Sequence, residues 1–197
     1  MKDYYYFCIL KDIITMNNIK IILQLICTPE KAWNNINERN IDYNLFLNRF
    51  LYPVMGITSA SVFMRLVTDS YTLQQVLQGF TIIFVKYFIG FFIAAYLINE
   101  CASRFYGIEN NIKRAQKYTG YLLSIPMVVT IVMNILPGIS FLELAPLYVI
   151  YVAWKGVTFI GIKAEKGFSY IIFSIIVLLS PMVVQMVLYM ILPGLNK

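Results

Sequence analysis

The sequence predicts an all-α integral membrane protein with five transmembrane helices, and three observations predict it. The first is a pair of apolar runs, Tyr118 to Leu136 and Ile139 to Ile162, on either side of a Leu-Pro-Gly turn. They are about 19 and about 24 residues long, enough at about 1.5 Å per residue to cross a hydrocarbon core of about 30 Å. The second is composition. Of 197 residues, 59% are hydrophobic and 13% charged, against roughly 45–50% and about 25% in soluble domains. The third is where the positive charge sits. Lys2, Lys11, Lys20, Lys31 and Arg39 precede the first apolar run. Arg104, Lys113, Arg114 and Lys117 fall between 99 and 117, and Lys163 and Lys166 between 163 and 166. Five spans put all of these on one side and leave Lys197 on the other, with Arg65 near that boundary. The positive-inside rule then sets the N-terminus in the cytoplasm and the C-terminus outside.

Residues 1–44 read as a cytoplasmic tail and 45–197 as the membrane domain. The first fifteen residues lack the apolar core and cleavage site of a signal peptide. Met16 opens a more natural membrane-protein start, so it is expected to be the initiator and the residues before it to pack poorly. Ile19 to Ile26 is apolar but far too short to span, which suits an interfacial helix. Thr28-Pro29-Glu30 is a helix start: Thr28 can cap, proline suits the first helical position, and glutamate favours the positive end of the dipole. Trp33 is expected at the headgroup level.

The spans follow at about 45–67, 80–98, 118–136, 139–162 and 168–192. In the first, Arg49 and Arg65 sit near opposite ends and are expected to snorkel to opposite interfaces. Gly56 and Ala60 in the first span, and Gly90 and Ala94 in the second, are small-xxx-small pairs that would let another helix approach. Thr68 to Gly79 contains Asp69 and no lysine or arginine. Pro53, Pro126, Pro146 and Pro181 lie inside four spans and are expected to bend them. PMVVTIVMNILPG (126–138) and PMVVQMVLYMILPG (181–194) echo one another at the ends of spans three and five. The match is short enough to arise by chance, which is the favoured reading over a parallel repeat.

Function classes are narrowed by what the chain lacks. The net charge of +6 is dispersed in short segments between apolar runs, which argues for membrane-surface attraction and against nucleic-acid binding. There is no histidine, so the commonest general base and metal ligand are missing. Cys8, Cys27 and Cys101 have no C-x-x-C spacing, and free thiols are expected. Neither H-E-x-x-H nor a phosphate loop is present. No catalytic, metal or cofactor site is expected, and the chain reads as a non-enzyme. Charges inside the hydrocarbon are the remaining candidates. Lys86 and Glu143 are expected near the same face of the membrane and would form an intramembrane polar pair. Lys155, about two turns inside span four, is expected to snorkel. The partners implied are the lipid bilayer, a cytoplasmic protein and a second copy of the chain. The primary reading is a scaffold of the cytoplasmic membrane whose partner surface is the Pro29–Arg39 helix plus the 99–117 loop. The alternative is a small oligomeric transporter or channel using Lys86 and Glu143.

The order of features also carries a resemblance. TPEKAW precedes the membrane, FLYPVMGITSASVF opens span one, a basic loop leads into KYTGYLLSIP, and LYVIYVAWKGVTFIGIKAEKG closes span four. This resembles the Yip family of five-span membrane proteins over roughly 20–192, with Pro53, Tyr121, Pro126, Tyr148 and Gly156 as motif positions. The resemblance implies five spans and an interaction role. Eukaryotic members bind Ypt/Rab GTPases in vesicle traffic through a long soluble N-terminal region. Only about forty residues precede span one here, which resembles the short bacterial branch, and no GTPase-contact residue carries over.

Overall fold

The structure is a computed structural model, and it describes residues 18–68, 71–136, 138–162 and 168–191. The expectations for residues 1–15, Met16, Cys8, Asp69, Pro137, the 163–166 segment and Lys197 fall outside that set. Among the described residues every regular element is a helix. Five are long and apolar enough to cross a membrane: Tyr43–Val67, Leu73–Tyr106, Ile112–Ile135, Leu142–Ile160 and Ser169–Ile191. Two short helices, Asn18–Cys27 and Pro29–Arg39, precede them.

The first span is a chain of different helical turns: a π segment Leu47–Leu51, an α segment Tyr52–Ala60 and a 3-10 segment Ser61–Met64. Proline explains part of this. Pro53 has no N–H for the carbonyl of Arg49 four residues back, and the side-chain amide of Asn18 donates to that carbonyl instead. Each change of period turns the helix about its axis. Thr58 and Ser59 therefore face inward, where their hydroxyls donate to the carbonyls of Val54 and Met55 at 2.8 and 2.9 Å.

The second span runs 34 residues, Leu73–Tyr106, about 51 Å at about 1.5 Å per residue and well beyond the hydrocarbon core. It starts in a capping box in which Thr72 and Gln75 satisfy each other's backbone N–H groups. The third span begins at Ile112, capped by the Asn111 side chain. The loop expected over 99–117 is thus mostly helix, with only 107–111 connecting. Asn99 ties that connection down, donating to Asn110 Oδ1 at 2.6 Å and accepting from the Asn111 backbone at 3.1 Å.

Span three is the hub. In its most apolar stretch 61% is buried inside the protein, against 33–39% for the other spans. Every residue from Tyr118 to Met127 is buried. Spans two and five pack most extensively on each other. Gly90 makes that possible: a Cβ there would lie 2.9 Å from Pro181 Cα and N. Ala94, a turn along, is fully buried. Gly56 and Ala60 lie elsewhere. A Cβ on Gly56 would meet nothing within 4 Å, and Ala60 is exposed. The turns of altered period in span one carry that pair away from the helix contacts.

Candidate functional site

The Pro29–Arg39 helix lies against the bundle with Pro29, Ala32, Trp33 and Ile36 buried. These positions are spaced three and four apart and form one apolar stripe. Thr28 makes no side-chain cap. Its N–H instead closes the preceding helix on the Gln24 carbonyl at 2.7 Å, and its own carbonyl accepts from Ala32 at 3.0 Å. Trp33, expected at the headgroup level, is only 3% exposed. Its indole lies between the rings of Tyr118, Phe159 and Tyr121, with centroids at 5.2, 5.4 and 6.0 Å. The indole N–H donates to the Val152 carbonyl at 2.9 Å, the partner a buried tryptophan needs. Gly156 supplies the notch, because a Cβ on it would fall 2.6 Å from Trp33 Nε1.

Two further contacts hold this helix, and a third holds the short helix before it. Lys155, expected to snorkel, pairs with Glu30 at 3.1 Å. Tyr148 donates to the Ile26 carbonyl at 2.8 Å. Tyr121 joins Trp33 to Phe46 and Phe50 of span one, with ring centroids at 5.0 and 4.8 Å. So Tyr121 and Gly156 serve one contact, the seat of the Pro29–Arg39 helix, and Tyr148 fastens the end of the short helix before it. The opposite face of Pro29–Arg39, with Lys31, Asn34, Asn37, Glu38 and Arg39, is exposed. Basic groups of span three stand close by: Arg114 lies over the Phe159 ring at 5.6 Å and Lys113 over Tyr43 at 6.0 Å.

The other end of the bundle holds the intramembrane polar groups. Lys86 donates to Gln185 Oε1 of span five at 3.1 Å. Glu143 is exposed on the 3-10 segment Ser140–Tyr148, and the ion pairs among the described residues join Arg104 to Glu100 and Lys155 to Glu30, not Lys86 to Glu143. Lys86 faces the helix that packs most closely on its own, and that helix offers an amide. Beside it Tyr87 Oη donates to the Pro126 carbonyl at 3.1 Å and lies 2.8 Å from Thr130 Oγ1. Thr130 and Gln185 each stand four residues after the proline of the repeated PMVV segments. The two echoed segments therefore grip adjacent residues of span two. Arg65 does not simply snorkel. It donates to Asn134 Oδ1 at 2.9 Å, and Asn134 donates to Ser61 Oγ at 2.8 Å.

Sequence reasoning missed the seat for Trp33. The available signal was a glycine inside an apolar helix, at Gly156, where helix propensity disfavours it. Cys27 and Cys101 are free thiols. Among the described residues no cluster of three or more histidine, cysteine or acidic side chains is arranged to hold a metal.

A bundle of five helices long and apolar enough to cross a membrane, with a short helix seated against it, has the architecture of a multi-pass α-helical membrane protein. A family model described as the Yip1 domain matches residues 23–185. The chain belongs to that family. No match was found among curated proteins or among solved structures.

Proposed function

We propose that this protein is a non-catalytic scaffold of the cytoplasmic membrane that presents a preformed, partly basic surface to a cytoplasmic protein. The observation that carries this reading is the seated helix. Trp33 and the Glu30–Lys155 pair hold one face of Pro29–Arg39 on the bundle, so the exposed row Lys31, Asn34, Asn37, Glu38 and Arg39 is presented in a fixed orientation. A preordered surface loses less entropy on binding than a free tail. Lys113 and Arg114 extend it with positive charge, and the positive-inside distribution sets this end in the cytoplasm. The transporter or channel reading would need Lys86 and Glu143 on one path. Lys86 instead rests on Gln185, and Glu143 is exposed on a different element.

The test is crosslinking in cells, purification in mild detergent and mass spectrometry of what is retained. A partner should be lost when Lys31 and Arg39 are both changed to glutamate, with the melting temperature unchanged. Recovery of the same proteins by that variant would overturn the reading. Ion or solute flux in liposomes that falls with Glu143→Gln would favour the conduit.

A further inference from the structure

An ammonium of span two and a phenol of span five meet on one amide, that of Gln185. Lys86 lies six residues beyond Phe80, where the apolar part of span two begins, or about 9 Å along the helix. Its ammonium carries three N–H donors. One is taken by Gln185 Oε1, and the face of the Tyr87 ring lies 5.2 Å away. No carboxylate pairs with it among the described residues. The Gln185 amide is oriented by its neighbour, since its Nε2 donates to Tyr189 Oη at 2.9 Å. Tyr189 is the acceptor in that bond, so its own O–H proton has no acceptor among the described residues.

Gln185 and Tyr189 share a shallow, open groove along one face of span five with Met182, Met186 and Met190, and Lys86 reaches its edge through Gln185. The methionines recur every fourth residue and are 63%, 59% and 67% exposed. They form a continuous, adaptable apolar track along the helix. A cation at this depth without a counter-charge is expensive, and a lysine stem extends its charge toward the headgroup level. The anion that reaches such a position attached to hydrocarbon is a lipid phosphate.

We propose that this groove binds one anionic phospholipid. Its phosphate accepts from Lys86 and Tyr189, and an acyl chain runs from there toward the membrane centre along Met186 and Met182. The lipid belongs to the leaflet on the side of the connection between spans one and two. A zwitterionic lipid is disfavoured because it brings its own cation beside Lys86.

The test is native mass spectrometry of the full chain taken from vesicles of equal phosphatidylcholine and phosphatidylglycerol. The wild type should retain one phosphatidylglycerol in preference to phosphatidylcholine. Lys86→Met should weaken that retention about tenfold, the scale of one charge-assisted contact, and Tyr189→Phe should weaken it severalfold. Lys86→Met removes an intramembrane charge, so the variant should fold. Added phosphatidylglycerol should raise the melting temperature of the wild type and not of Lys86→Met. Equal retention by wild type and Lys86→Met, equal retention of the two lipids, or a second copy of the chain covering the methionine track would each overturn the proposal.

Discussion

Replacing Gly156 with alanine should change sign according to what stands at position 33. In an isolated helix the substitution stabilises by about 1 kcal/mol, because alanine loses less backbone entropy than glycine. In this protein the added methyl would sit 2.6 Å from Trp33 Nε1 and Cζ2, and overpacking of this kind costs about 1–3 kcal/mol. The clash wins, so Gly156→Ala should destabilise the wild type and expel Trp33 from its seat. Trp33→Ala alone should cost about 3–5 kcal/mol, the usual range for deleting a buried tryptophan, including the indole bond to the Val152 carbonyl. In the Trp33→Ala background the obstacle is gone, and Gly156→Ala should now stabilise by up to about 1 kcal/mol. The assay is a double-mutant cycle on thermal unfolding followed by circular dichroism in detergent. A second readout is Trp33 emission in a Trp154→Phe background, because Trp154 is 48% exposed and Trp33 only 3%. Gly156→Ala should shift that emission to the red. Additive costs in the two backgrounds, or unchanged emission, would refute the seated-helix account.

Three further predictions separate packing from exposure and test the orientation. Gly90→Ala forces a methyl against the Pro181 backbone, which cannot rotate away as a side chain can, and should cost about 1–3 kcal/mol. Gly56→Ala meets open space and should be neutral or stabilising by up to about 1 kcal/mol; thermal melts of the pair that reversed this order would contradict the packing of spans two and five. Asn134→Leu should cost about 2–3 kcal/mol in a detergent melt, because it removes the nearer of Arg65's acceptors, leaving the longer bond to Tyr71 Oη, and takes the donor from Ser61 in a buried setting. For topology, Glu109→Cys and Gln74→Cys place exposed thiols on opposite ends of span two. In a Cys8→Ser, Cys27→Ser, Cys101→Ser background, a membrane-impermeant maleimide should label position 74 in intact cells and position 109 only after lysis. The reverse pattern would invert the proposed orientation.

Much of the fold was legible in the sequence because a bilayer imposes length and polarity on every crossing element. Five apolar stretches between basic segments locate five helices whatever their packing. Span two shows the limit: its apolar core marks 80–98, but the helix continues to Leu73 and Tyr106, since polar residues on a helix extension outside the hydrocarbon leave no hydropathy signal. The family resemblance was legible through Tyr121, Tyr148 and Gly156, while their contacts were not. Hydropathy reports what each residue does toward solvent or lipid, whereas the contacts of Tyr121 and Gly156 with Trp33, and of Tyr148 with Ile26, join parts of the chain far apart in sequence.

The sequence by itself determined the number of helices able to cross a membrane, the absence of histidine chemistry and the segregation of positive charge. These are one-dimensional properties, since burial in hydrocarbon acts on each residue separately. The tertiary structure decided the partners. It set Lys86 on Gln185, Lys155 on Glu30 and Arg65 on Asn134, turned Gly56 and Ala60 away from the helix contacts while closing Gly90 on Pro181, and put Trp33 in the Gly156 notch. Which groups meet depends on the rotation of each helix about its axis, and the π and 3-10 turns around Pro53 alter that rotation in span one. Periodicity read along an ideal helix cannot recover a phase that packing and a missing N–H have changed.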